Sequence, residues 1–139
     1  MYHKLIIFSL IFLTLQKITV VMAEDATPLY VSGAITVDTV TANMLHVKGY
    51  PFVDVRGIKH FSNGHIPGAY HLPIHSEDFT IENLNAIAKK NQPVIFYCNG
   101  INCMGSSIAS QKAVEWGWTQ VAYYREGIPQ WKEQGFAIK

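Results

Sequence analysis

Apolar residues along this chain fall into short blocks, and the spacing within each block predicts an element. Ile35-Thr36-Val37 predicts a short strand. Thr39 or Thr41 is placed to cap a helix carrying Met44, Leu45 and Val47, which Gly49 ends. Phe52-Val53-Asp54-Val55 predicts a second strand, Asn63-Gly64 and Pro67-Gly68 are turn signals, and Ala69 to Leu72 predicts a third strand. Thr80 is placed to cap a helix with Ile81, Leu84, Ile87 and Ala88 on one face, and Lys89 and Lys90 suit its C-terminus. Val94-Ile95-Phe96-Tyr97 is a continuous apolar run, the pattern of a strand covered on both faces. Ser106 or Ser107 is placed to cap a helix running to about Trp116, with Gly117 ending it. Val121-Ala122-Tyr123-Tyr124 predicts the last strand, with only one of its two tyrosines facing the core. Pro129 to Gln134 predicts a closing helical turn around Trp131. Strands alternating with helices imply an α/β fold with a mostly parallel sheet, in which ligands bind beyond the C-terminal ends of the strands.

The first block is of another kind. Leu5 to Leu15 is an unbroken run of apolar and hydroxyl residues behind Lys4, and Val21 and Ala23 form a small-residue cleavage pattern. Residues 1–23 therefore read as a signal peptide, and residues 24–33, with Pro28 and Gly33, as an irregular arm before a domain over 34–139. The run is short of the roughly 20 apolar residues of a membrane span, so no stable membrane anchor is expected after processing. The expected location is outside the cytoplasm, periplasmic or secreted, where paired cysteines can be oxidised.

Composition narrows the function. In 139 residues, 49% are apolar and 15% charged, which is globular rather than disordered. The net charge of +1 gives no basic excess for nucleic acid. Without Lys4 and Lys17 of the leader, nine basic side chains face ten acidic ones. Two cysteines exclude a disulfide-dense scaffold and a four-cysteine zinc site. His60, His71 and His75 have no ligand spacing with them, so no metal and no cofactor are expected. Trp116, Trp118 and Trp131 read as core and rim residues.

The chemistry concentrates after the most buried-looking strand. Cys98 is followed by Asn99, Gly100, Ile101, Asn102, Cys103, Met104 and Gly105, and then by the helix start at Ser106. A thiol at a strand's C-terminal end, across a short loop from a helix N-terminus, meets unpaired N–H groups and a partial positive charge, which favour thiolate. Gly100 and Gly105 let the loop backbone curl close to a sulfur or an oxyanion. The functional reading is a nucleophilic Cys98 in an anion cradle; the plain alternative is a buried structural cysteine.

Phe52-Val53-Asp54-Val55-Arg56, followed by Gly64-His65-Ile66-Pro67-Gly68-Ala69, resembles the signature of the rhodanese (sulfurtransferase) domain family. Val94 to Cys98 is similar to that family's strand into its active-site cysteine, and Glu126 to Trp131 to its late glycine and tryptophan segment, with Glu126 in place of a first glycine. The resemblance covers about residues 34–137 and implies a five-stranded, mostly parallel sheet flanked by helices. It implies that Cys98 carries sulfur as a persulfide, taken from a small anionic donor such as thiosulfate and passed to a thiophilic acceptor. The two-cysteine loop before a Ser-Ser helix start resembles a subgroup of exported, single-domain members. This loop is about two residues longer than the usual one, and Gly105 stands where relatives often have Arg. Arg125, at the end of the last strand, is a candidate anion contact at the same sheet edge. Asp54 and Arg56 share a strand face as a structural ion pair, and His65 is placed to fix a turn.

Cys103 opens a second chemistry. It can close a disulfide with Cys98 if the loop folds back, resolve a persulfide on Cys98, or exchange with a partner protein's thiol. The expectation is thus a sulfurtransferase or persulfide carrier. The competing readings are a thiol-disulfide redox module using both cysteines and a non-catalytic rhodanese-like binding domain.

Overall fold

Burial on both faces makes the run Val94–Tyr97 the middle of a parallel sheet. The computed structural model describes residues 26–139, and the signal-peptide reading lies outside them. In chain order the elements are β1 (Ala34–Thr36), α1 (Thr39–Val47), β2 (Phe52–Asp54), α2 (Ile58–Ser62) and β3 (Tyr70–His71). They continue with α3 (Ile81–Ile87), β4 (Val94–Tyr97), α4 (Gly105–Glu115), β5 (Val121–Tyr124) and α5 (Gly127–Glu133). The five strands form one sheet in the order β1-β5-β4-β2-β3, and every pairing is parallel. Among the described residues, no helix is long and apolar enough to cross a membrane.

Alternation along the strands divides the core. Val53, Val94 and Phe96 point to one face and pack with Leu84 of α3 and with Ala109 and Ala113 of α4. Phe52, Ile95, Tyr97 and Tyr124 point to the other face and pack with Ala42 of α1 and with Ile128 and Trp131 of α5. Continued one residue past β4, the alternation puts Cys98 on the α3/α4 face.

Several predicted boundaries move for physical reasons. The cap of α1 is Asp38, whose carboxylate accepts the Thr41 N–H at 2.8 Å, so Thr39 and Thr41 lie inside the helix. Thr80 does cap α3, accepting the Asn83 N–H at 3.2 Å. That helix ends at Ile87, and Ala88 is already extended. Ser106 and Ser107 do not cap α4. The helix begins earlier, at Gly105, and Ser107 Oγ donates back to the Met104 carbonyl at 2.8 Å. Helix α5 begins at Gly127, two residues before Pro129, because a proline's missing N–H costs nothing in a first turn. Helix α2 follows Gly57 and buries none of its residues, so no apolar stripe predicted it.

Both tyrosines of β5 are buried, and of the two only Tyr124 joins a core cluster. Tyr124 pairs its hydroxyl with Thr39 Oγ1 at 2.9 Å on the α1/α5 face. Tyr123 donates to the Pro28 carbonyl at 3.1 Å, so the N-terminal arm covers the opposite side of the strand end. A sheet covered on both faces gives neither neighbour a solvent side.

Burial pushes the Tyr124 phenol up to about 12, against an ordinary value of 10.0, while its hydrogen bond to Thr39 acts the other way. Tyr97 is also pushed upward, by burial first and then by the charge of Asp54 beside it. The unfolded chain therefore releases these protons first as pH rises, and stability is lost above about pH 10. The urea midpoint should fall between pH 10 and about 12, and Tyr124→Phe should make that fall shallower.

Candidate active site

The loop from Cys98 to Met104 leaves the C-terminal end of β4 and returns directly into α4. Cys98 is 3% exposed and is disulfide-bonded to Cys103, with their Cα atoms 6.1 Å apart. Between them Gly100, at φ +103°, makes the turn that lets the Cys103 N–H donate to the Gly100 carbonyl at 3.0 Å. Gly105 then brings the start of α4 against the sulfur: a Cβ there would lie 3.1 Å from Cys98 Sγ and 3.2 Å from Val55 Cγ2. A side chain at this position would be tight against that sulfur and against Val55, so those side chains would have to give by a few tenths of an ångström.

The floor of the loop is Glu126-Gly127-Ile128. The Ile128 N–H donates to the Cys98 carbonyl at 3.1 Å. Gly127 adopts φ +63°, and a Cβ there would collide with the Cys98 carbonyl oxygen and lie 2.8 Å from Gly100 N. Glu126, the departure from the family pattern, turns away from the loop. Its Oε2 accepts from the Thr39 N–H at 2.9 Å and from Thr39 Oγ1 at 2.5 Å. A carboxylate so placed satisfies a free donor at the start of α1.

Two further elements hold the loop. The guanidinium of Arg56 donates Nε and Nη2 to the Asp54 carboxylate, at 2.9 Å to Oδ1 and 2.6 Å to Oδ2, and Nη2 also donates to the Gly64 carbonyl at 2.8 Å. Its Nη1 reaches Asn99 Oδ1 at 3.3 Å, which ties the residue after Cys98 to the end of β2. Burial disfavours the Arg56 charge, but its bonds to Asp54 and the carboxylate's charge outweigh it and raise the Arg56 pKa. The second holder is the arm. Thr27 donates both its N–H, at 2.9 Å, and its hydroxyl, at 2.8 Å, to the Ile101 carbonyl at the loop tip.

Arg125 lies at the expected sheet edge, but its Nε and Nη2 donate to the Thr27 carbonyl at 3.2 and 3.0 Å. Its partner here is the arm, and through Thr27 it supports the loop. His65 Nδ1 donates to the Phe61 carbonyl at 3.0 Å, and the residue exchanges backbone hydrogen bonds with Lys139, which holds its turn against the C-terminal tail. Ile101, Asn102 and Met104 are exposed, whereas Gly105 and Ser106 are buried. Among the described residues, no group of three or more His, Cys, Asp or Glu side chains is arranged to hold a metal ion. Thr27 and Gly127 carry no chemical group that marks a site in the sequence. Only the retained glycine of the late segment pointed to the second.

A parallel sheet whose central strand delivers a buried cysteine to a loop before a helix start defines a cysteine-centred α/β domain. The profile of the rhodanese-like domain matches residues 36–134, and the chain belongs to that family. Among solved structures, the BH2092 protein from Bacillus halodurans is 26% identical, with a TM-score of 0.66 over 76% of this chain and 77% of that one. The rhodanese-like domain of the Alr3790 protein from Anabaena sp. is 23% identical, with a TM-score of 0.64 over 75% and 77% of the two chains. A rhodanese-related protein from Thermoplasma volcanium is 20% identical, with a TM-score of 0.61 over 76% and 97%. The last two show the fold alone. No functionally curated protein matches the chain.

Removing the Asp54 carboxylate leaves Arg56 buried without its counter-charge. Asp54→Ala should destabilise by about 3–5 kcal/mol in urea denaturation. Gly127→Ala should cost more than the about 1–2 kcal/mol of left-handed backbone alone. Gly49→Ala, at φ +80° with nothing within 4 Å of a new Cβ, supplies that comparison.

Proposed function

We propose that this protein is a sulfur carrier of the rhodanese type, with Cys98 as the nucleophile and Cys103 as its resolving thiol. The observation that supports it is the placement of Cys98: its sulfur lies where α4 begins and is within bonding reach of a second cysteine. In the reduced protein, Cys98 thiolate attacks the outer sulfur of a donor such as thiosulfate. A new S–S bond forms, the donor's S–S bond breaks, and sulfite leaves with the electron pair. Free N–H groups at the helix start and in the loop stabilise the resulting persulfide anion.

The sulfur then has two exits. A thiophilic acceptor takes it from the Cys98 persulfide and regenerates the thiolate. Alternatively, Cys103 thiolate attacks Cys98 Sγ, hydrosulfide leaves, and the Cys98–Cys103 disulfide remains. The second exit yields the bridged state of the structure and requires an external thiol before the next cycle. No Arg or Lys lies between Cys98 and Lys112. A dianionic donor therefore lacks a charge-assisted contact from the loop, worth about 1.5–3 kcal/mol.

The disulfide also favours a second reading, a thiol-disulfide module in which the pair itself is the redox group. Either chemistry suits an oxidising compartment, and we propose that the protein is exported and works there.

Intact mass separates these functions. The reduced protein treated with thiosulfate should gain one sulfur, about 32 Da, that a reductant removes. Cys98→Ser should not gain it, and Cys103→Ser should retain it longest because nothing resolves it. No gain in any reduced form, with function lost in both single variants, would replace sulfur transfer with thiol-disulfide exchange.

A further inference from the structure

The two sulfurs of the bridge differ in what surrounds them. Cys98 belongs to the core cluster of Val55, Ile74 and Phe96 and is 3% exposed. Gly105 closes over it so tightly that a Cβ there would stand 3.1 Å from its Sγ. Cys103 is only partly buried at the rim of that cluster, and both of its neighbours, Asn102 and Met104, are exposed. A thiolate opens a disulfide by attacking one sulfur and expelling the other. Cys98 is the enclosed cysteine of the pair, and Cys103 is the more accessible one.

We infer that Cys103, not Cys98, is where an external dithiol, such as a partner protein carries, opens the resting bridge. A partner thiolate attacks Cys103 Sγ. The bond between Cys103 and Cys98 breaks, a mixed disulfide forms between the partner and Cys103, and Cys98 leaves as thiolate with the electron pair. The partner's second thiolate then attacks its own sulfur in that mixed disulfide. This expels Cys103 thiolate and leaves the partner oxidised, so one disulfide is reduced and one dithiol is consumed.

The leaving side agrees with this direction. Cys98 departs against Gly105, the first residue of α4, where free N–H groups favour a thiolate, and a better-stabilised thiolate leaves faster. From Cys98 through Gln111 no side chain is ionised, so nothing in this segment repels an anionic attacker. Taken with the proposed sulfur chemistry, on which this consequence rests, a donor reaches Cys98 only after a partner has reacted at Cys103. The outer cysteine then serves as both gate and resolving thiol.

The experiment uses the oxidised protein and a thioredoxin whose resolving cysteine is changed to serine, so that the mixed disulfide persists. The reaction is quenched in acid within seconds, alkylated with N-ethylmaleimide and mapped by fragment-ion mass spectrometry. Thioredoxin on Cys103 and alkylation on Cys98, in at least tenfold excess over the reverse pattern, are expected. Attachment at Cys98, an even mixture, or no adduct overturns the inference. The result is independent of sulfur loading. Opening at Cys103 without any sulfur gain on Cys98 would remove the carrier proposal alone, and sulfur gain with opening at Cys98 would remove this one alone.

Discussion

The close approach of two backbone segments at Cys98 is the constraint on which the site depends. The carbonyl of Cys98 accepts the Ile128 N–H only because Gly127 carries no side chain, and the sulfur lies so close under α4 that a Cβ on Gly105 would stand 3.1 Å from it. These contacts join the ends of β4 and β5 to the starts of α4 and α5. A side chain at Gly127 would separate the loop from the element that shapes it, and one at Gly105 would press on the sulfur. The site is therefore built from backbone contact, with side chains holding its margins.

Those margins come from distant parts of the chain. Arg56 carries the Asp54 carboxylate on one side and reaches Asn99 on the other, so a buried ion pair is linked to the residue beside Cys98. Thr27 fastens the tip at Ile101, and Arg125 fastens Thr27. The arm is thus part of the site's support. A loop held at its base, its side and its tip has little conformational freedom left to lose, which is what preorganisation means for any ligand it meets.

The departures from the family pattern have physical reasons in this structure. Glu126, where a glycine is usual, caps the start of α1 through Thr39 without entering the loop. Gly105, where an arginine is often found, gives up a positive charge and gains contact between α4 and the sulfur. The exchange moves the likeness away from a loop that grips an anion by charge and toward one that tightens around a pair of cysteines.

Much of this was legible along the chain. The strands at Val94–Tyr97 and Val121–Tyr124 match their predicted bounds, because a continuous apolar run has only one comfortable place, inside a parallel sheet. The position of Cys98 at a strand end, and its loop before a helix start, followed from spacing alone. Local residue order could not supply what depends on distant segments. Asp38 rather than Thr39 caps α1 because Glu126 and Tyr124 claim Thr39. Tyr123 is buried because an arm far away in sequence lies over it. Arg125 meets Thr27 because that arm crosses its path. The sequence by itself determined the alternating elements, the sheet and the placement of two cysteines in one strand-to-helix loop, since those arise from short-range periodicity and residue order. Tertiary structure alone decided that Cys98 is the inner sulfur and Cys103 the outer one, because burial is set by segments that meet only when the chain is folded.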